Sequence, residues 1–195
     1  MTGVTVALSR EVIVEAGLRR LDEGGPEELS LRAVARDLGV TAPALYAYVA
    51  DREDLLAAIA TSHFETLVAR FETIDATDPL DQVRAVSRMY IDHALASPAL
   101  FRLMFRYPFR QATGRDAFPP STRAFEVAQA ATAAAAAAGQ IEVDDVDLAA
   151  MTMWIAVHGV AEVLLMGFDF DPATVETLVT SVIETVLTGQ GARPG

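Results

Sequence analysis

Apolar residues recur at three- and four-residue spacing along nearly all of this 195-residue chain, and no stretch sustains an alternation of period two. Helices repeat every 3.6 residues or so and half-buried strands every second residue, so this one feature confines the chain to the all-α class. The periodic stretches are well punctuated. Ser9 opens one in which Val12, Ile13, Ala16, Leu18 and Leu21 recur, and Gly24-Gly25-Pro26 stops it. Ser30 is the predicted N-cap of a short helix over Leu31–Leu38, which Gly39 closes. Thr41 is the predicted cap of the next helix, with Pro43 in its first turn, where a missing N–H costs little. Asp51 starts a longer helix through Leu55, Leu56, Ile59 and Phe64 to Phe71. Asp78-Pro79 opens a helix to Ala96, and Ser97-Pro98 opens one to Arg106. Tyr107–Pro120 holds three prolines and a glycine and reads as a loop. Ser121–Ala138 is helical through its alanine run, and Gly139 ends it. Asp144–Gly167 and Asp171–Leu187 are the last two predicted helices, followed by a frayed tail over Gly189–Gly195.

Composition removes several function classes. The chain has no cysteine, which excludes disulfides, thiolate zinc sites and thiol nucleophiles together. Met1–Arg10 lacks an apolar stretch behind a basic one, so no secretory signal is read there and a cytoplasmic location is expected. Twenty-seven acids against fifteen bases, all arginine, give a net charge of −12. The global field therefore does not steer the protein to nucleic acid, and any DNA binding must rest on local geometry. Leu148–Phe168 is long and apolar enough to resemble a membrane span, but it carries His158 and Glu162 near its middle and is flanked by acids. It is read instead as a helix buried on most of its circumference, with no membrane partner.

Ser30–Val49 is the most informative segment. Leu31, Val34, Ala35 and Leu38 form one apolar stripe, Leu45 and Val49 a second, and Gly39 stands between them at a position suited to positive φ. Ala35 is small where two steeply crossing helices must approach closely. Taken alone, the pattern fits either a helix-turn-helix or an αα-corner of a bundle. The first sixty residues, however, resemble the DNA-binding domain of tetracycline-repressor-like (TetR family) regulators. The resemblance lies in LDEGG at the end of the first helix, then LSLRAVARDLGV, then TAPALYAYVADREDLLAAI, in order and correctly spaced. Gly39–Val49 matches the family's recognition-helix phrase, and Asp51–Leu55 the charged start of its fourth helix. The remaining two thirds resembles the family loosely, although Trp154, His158 and Gly159 are similar to a Trp…His-Gly signature of one ligand-domain subgroup.

The resemblance implies an N-terminal helix-turn-helix DNA-binding domain over residues 1–50. It implies a larger helical effector-binding and dimerisation domain over residues 51–195, with 51–71 as the connecting helix. Thr41, Ala42, Pro43 and Ala44 then fall at the exposed start of the recognition helix, where base edges are reached. Tyr46 and Tyr48 fall where aromatic residues meet phosphates or thymine methyls, though one of the two can equally be packing. Arg32 and Arg52 fall where basic residues meet phosphate or an adjacent base, a role suited to a forked guanidinium. Arg36 is read either as a contact of the same kind or as a solvated partner of the neighbourhood of Asp37. The sequence departs from the family in offering few hydrogen-bonding groups on this helix, and Ser30–Ala50 carries a charge of only +1. Weak non-specific DNA affinity is expected.

In the larger domain, Phe101, Met104, Phe105, Phe125, Met151, Trp154 and His158 are either core or the lining of an apolar effector pocket. Arg102 and Arg106 are candidate carboxylate partners beside Phe105. His158 and Glu162 stand four residues apart, the spacing of a metal or acid–base pair, so a small helical-bundle enzyme is the competing reading. Only His63 and His93 remain as histidines and no third ligand presents itself, so neither a metal nor a cofactor is expected. No phosphate loop, G-x-S-x-G or H-E-x-x-H is present. The expected function is a ligand-responsive repressor that binds a palindromic operator. Its partners would be double-stranded operator DNA, a small hydrophobic effector and a second copy held through the last two helices. Those helices carry surplus apolar residues, among them Val157, Val160, Val163, Leu178, Val182 and Val186.

Overall fold

The computed structural model of the chain describes residues 7–106 and 119–191, and every regular element among them is an α-helix. In chain order these are α1 (Arg10–Gly24), α2 (Leu31–Asp37), α3 (Ala42–Leu45), α4 (Arg52–Phe71) and α5 (Pro79–Ala96). They continue with α6 (Pro98–Arg106), α7 (Pro119–Ala137), α8 (Val146–Leu164) and α9 (Pro172–Gly189). The fold is all-α, as the periodicity requires. Its helix starts follow local chemistry. Ser9 accepts from Val12 N–H and Ser30 from Ala33 N–H, while Asp78, Asp145 and Asp171 cap α5, α8 and α9. Thr41 occupies the N-cap position of α3, but its hydroxyl makes no capping bond. The predicted loop over Tyr107–Pro120 lies outside the described residues, except that α7 already begins at Pro119.

The described residues divide into two compact units, one of residues 7–64 with 99–106 and one of residues 65–98 with 119–191. The first unit buries Ile13, Leu21, Val34, Leu45, Leu55 and Ile59 in one core. Gly17 brings α1 close to α4, because a Cβ there would stand 2.9 Å from the Ile59 side chain. Leu100 and Leu103 of α6 join the same core, with Ala99 against it, so the small domain recruits a helix from far down the sequence.

In the second unit α5 packs against α7, α8 and α9, α7 packs on α8, and α8 on α9. Ala131 and Ala135 are the buried members of the alanine run on α7. Arg84 forks onto Glu184 at 2.7 and 3.0 Å, and Arg88 forks onto Glu176, so two ion pairs fasten α5 to α9. The apolar helix α8 is the one helix among the described residues long and apolar enough to cross a membrane. It does not bury most of its circumference, as the sequence suggests. Ala149, Ala150, Met153, Val157, Val160 and Ala161 are buried on one face, while Leu148 and Ile155 remain 63% and 60% exposed on another. Among the described residues α5, α7 and α9 pack on α8, and its other side stays open.

Candidate functional site

The geometry of the first unit begins with Gly39. Its φ of +67° lets the chain reverse between α2 and α3, with Gly39 N–H bonded to Arg36 C=O and Val40 N–H to Ala35 C=O. Ala35 is buried and gives the two short helices room to cross. The second helix of the pair is one turn long, Ala42–Leu45, and continues through a turn at Tyr46–Tyr48. Leu45 and Val49 are fully buried and anchor it. The rest of the segment faces outward: Thr41, Pro43, Tyr46 and Tyr48 are exposed, and Ala42 and Ala44 half-buried. Tyr46 is 58% exposed. The predicted contact residues 41–48 therefore share one segment whose polar and aromatic groups are open to solvent.

The arginines divide into two classes. Arg32 and Arg36 are exposed on α2, and neither forms an ion pair among the described residues. Arg36 is not taken up by Asp37, because Arg20 forks onto that carboxylate and holds its pKa below the ordinary value. Arg52 behaves differently. Its guanidinium donates to Leu29 C=O at 2.9 Å and Pro26 C=O at 2.6 Å, tying the start of α4 to the α1–α2 loop. Expected where basic residues meet phosphate or an adjacent base, Arg52 is already bonded to backbone carbonyls.

Two residues with no distinguishing signal in the sequence hold the other end of the segment. Arg10, the first residue of α1, donates to Tyr48 C=O at 2.6 Å and forks onto Asp54 at 2.6 and 3.1 Å. Asp54 also accepts from Ala50 N–H at 2.8 Å, and Asp51 caps the N–H of Asp54. The Arg10 bond is the main reason that the Asp54 carboxyl titrates below its ordinary range. An open groove of about 450 Å³ on the same unit is lined by Arg19, Arg20, Glu23, Glu28 and Asp37, charges of both signs and not an apolar surface.

The predicted effector residues fall in both units. Phe101 and Met104 are fully buried in the first, where the Phe105 ring meets Phe101 edge-on at 5.2 Å and Phe64 at 5.7 Å. Arg102 is exposed on α6, and the Arg106 side chain lies outside the described residues. In the second unit Phe125 is half-buried on α7 and Met151 is exposed on α8. Trp154 and His158, one turn apart on α8, stack at 5.4 Å. Tyr90, a buried residue of α5 not foreseen as part of the site, bonds His158 Nδ1 at 2.8 Å and is also hydrogen-bonded by Trp154. An indole N–H can only donate, so the Tyr90 oxygen accepts from Trp154. Burial pushes the Tyr90 hydroxyl pKa up and keeps it a donor. Burial also pulls His158 below its ordinary value, against the smaller opposing effect of Glu162. The one signal in sequence for Tyr90 is its place on the Val83, Val86, Tyr90 face of α5.

Residues 13–59 match the model of bacterial regulatory proteins of the tetR family, and residues 83–186 match a tetracyclin repressor-like C-terminal domain. Over 101 residues the chain is 37% identical to the HTH-type transcriptional regulator Rv1816 of Mycobacterium tuberculosis, covering 49% of this chain and 43% of that protein. The match thus spans less than half the length of that relative. A Rhodococcus sp. RHA1 protein of unknown function has the same fold, with a TM-score of 0.85 and 26% identity over 99% of this chain and all of that one. The regulator FadR of Bacillus subtilis, solved with stearoyl-CoA, shares the fold at a TM-score of 0.70 and 16% identity, over 92% of this chain and 98% of that one.

Proposed function

The chain belongs to the tetR family of bacterial regulatory proteins, and on that premise we propose that it is a cytoplasmic repressor. In this reading a homodimer holds a palindromic operator and releases it when a small, largely apolar effector binds. As a member of the family it is a DNA-binding transcriptional regulator and not an enzyme.

The observation that carries the DNA reading is the exposed segment Thr41–Tyr48 beside the unopposed Arg32, on a pair of helices turned by Gly39. Thr41 and Arg32 supply hydrogen bonds there, Ala42, Pro43 and Ala44 supply apolar contacts to thymine methyls, and Tyr46 and Tyr48 lie against the backbone. Arg52 adds charge from the start of α4 while its fork stays on the carbonyls of Leu29 and Pro26. A gel shift with DNA from upstream of the protein's own gene tests this. Arg32→Ala and Tyr46→Ala should each weaken binding without unfolding the chain. Loss of the Arg32 phosphate contact should also lower the slope of log K against log salt by about one. Parent-like binding by both variants at matched salt would place the interface elsewhere.

The effector reading rests on the second unit. Trp154 offers an aromatic face and His158 one polar fixture, a combination suited to an apolar molecule carrying a single polar group. The effector must prefer one arrangement of the dimer over the other, since equal affinity for both shifts no population. Helix α4, whose residues enter both units, is the lever of this reading. Hydrophobic small molecules that release operator from the parent should act more weakly on Trp154→Ala and His158→Ala. An inducer that both variants answer unchanged would move the pocket away from these residues.

A further inference from the structure

We propose that Arg10 and Asp54 are positioning residues for DNA recognition, clamping the C-terminal end of the Thr41–Tyr48 segment to the starts of α1 and α4 without themselves contacting DNA. The inference rests on the reading that this segment faces the operator. A single helical turn has little rigidity of its own, and α3 has only four residues. Its entry is fixed by the Gly39 turn and its underside by Leu45 and Val49. Its exit is fixed by side chains. Tyr48 C=O and Ala50 N–H flank the buried Val49, and one member of the Arg10–Asp54 pair bonds each of them. The clamp joins positions 38 and 44 residues apart, so it exists only in the folded unit. It also neutralises itself: the guanidinium is committed to a carboxylate and a carbonyl, which leaves little for a phosphate. Tyr46 and Tyr48 ride on the segment so held. Without the clamp their backbone would sample orientations that miss the groove.

Such a role differs from a phosphate contact in its response to salt. The probe is the duplex that the parent protein selects from a random-sequence pool, titrated by fluorescence anisotropy over a salt series. Arg10→Ala and Asp54→Asn should each weaken binding roughly tenfold at matched salt, the loss expected for charge-assisted hydrogen bonds, with the salt slope unchanged. Arg10→Lys keeps the charge and one donor and should restore part of the affinity. The sign for Asp54→Asn is diagnostic, because removing an acid beside a polyanion otherwise tightens binding. A slope lowered by about one in Arg10→Ala would make Arg10 a phosphate ligand and overturn the clamp. Tighter binding by Asp54→Asn would overturn it as well. Thermal melts accompany each variant, and if Arg10→Ala unfolds, the near-isosteric Asp54→Asn decides. If Arg32→Ala and Tyr46→Ala weaken binding while Arg10→Ala and Asp54→Asn do not, the clamp alone fails. If the parent selects no duplex, the clamp and the interface reading fall together.

Discussion

Tyr90 shows how much a single hydroxyl can organise. Its oxygen accepts a hydrogen bond from the Trp154 indole and its hydroxyl bonds His158 Nδ1, so Tyr90→Phe removes a partner from two side chains at once. A buried network broken in this way costs about 1–3 kcal/mol, read as a shift of the urea midpoint at constant slope. An unchanged midpoint would mean that water replaces the hydroxyl. The same site predicts a pH effect. A base held below its ordinary value in the folded chain contributes stability that is complete above the unfolded value. That contribution declines as pH falls through the window down to the folded value, because the unfolded chain then takes up more protons. Between pH 7 and pH 5 the parent should therefore lose more stability than His158→Gln, and parallel curves would contradict the burial of the imidazole. At Gly39, open space surrounds the missing Cβ, so Gly39→Ala tests the backbone alone. The positive φ should make it cost about 1–2 kcal/mol in a thermal melt, and the turn it distorts should weaken operator binding as well. Arg10 and Asp54 were silent in the sequence, and Tyr90 showed only as a member of an apolar face, because each acts on a residue of another element. An arginine opening a helix reads only as a solvated charge.

Among the elements, the helix starts were the most legible features. Ser9, Ser30, Asp78 and Asp171 cap neighbours two or three residues away, so their chemistry is written locally. Thr41 looked equivalent and is not, since its hydroxyl leaves the helix end uncapped. The pairings of whole helices were not legible. The two ion pairs between α5 and α9 join residues 88 and 100 positions apart. The Arg84 guanidinium holds the Glu184 carboxyl below the ordinary carboxylate range. Its stability contribution is thus present above that range and lost as pH falls through the lowered folded value. Glu184→Gln should lower stability by under ~1 kcal/mol at neutral pH, since both partners stand well out in solvent. The gap between variant and parent should close in acid, as followed by urea unfolding. A gap that persists at pH 3 would assign the effect to packing.

At the scale of the whole molecule, α8 carries the clearest demand for a partner. Val157 and Val160, expected at the interface, are used up inside the chain, whereas Leu148, Met151, Ile155 and Val163 stay exposed. A proposed two-fold dimer covers that face, and Ile155→Glu should then sediment as a monomer at micromolar concentration and lose its hold on a palindromic site. A parent that is itself monomeric would contradict the reading. The sequence foresaw surplus apolar surface here, with Val163 among its carriers, but not Leu148 or Ile155, because only tertiary packing decides which side of a helix its own chain covers. Leu100 and Leu103 of α6 join the core built by residues 13–60, a recruitment invisible to any local pattern. That recruitment has a consequence for synthesis. A ribosome that has just released residue 64 has still to make the whole of α5 before Leu100 emerges, which at ordinary elongation rates takes on the order of seconds. During that interval the nascent reading head lacks part of its interior. A message broken off before α6 yields a fragment with an unfilled core, so the proposed reading head is complete only after translation has entered the second half of the gene.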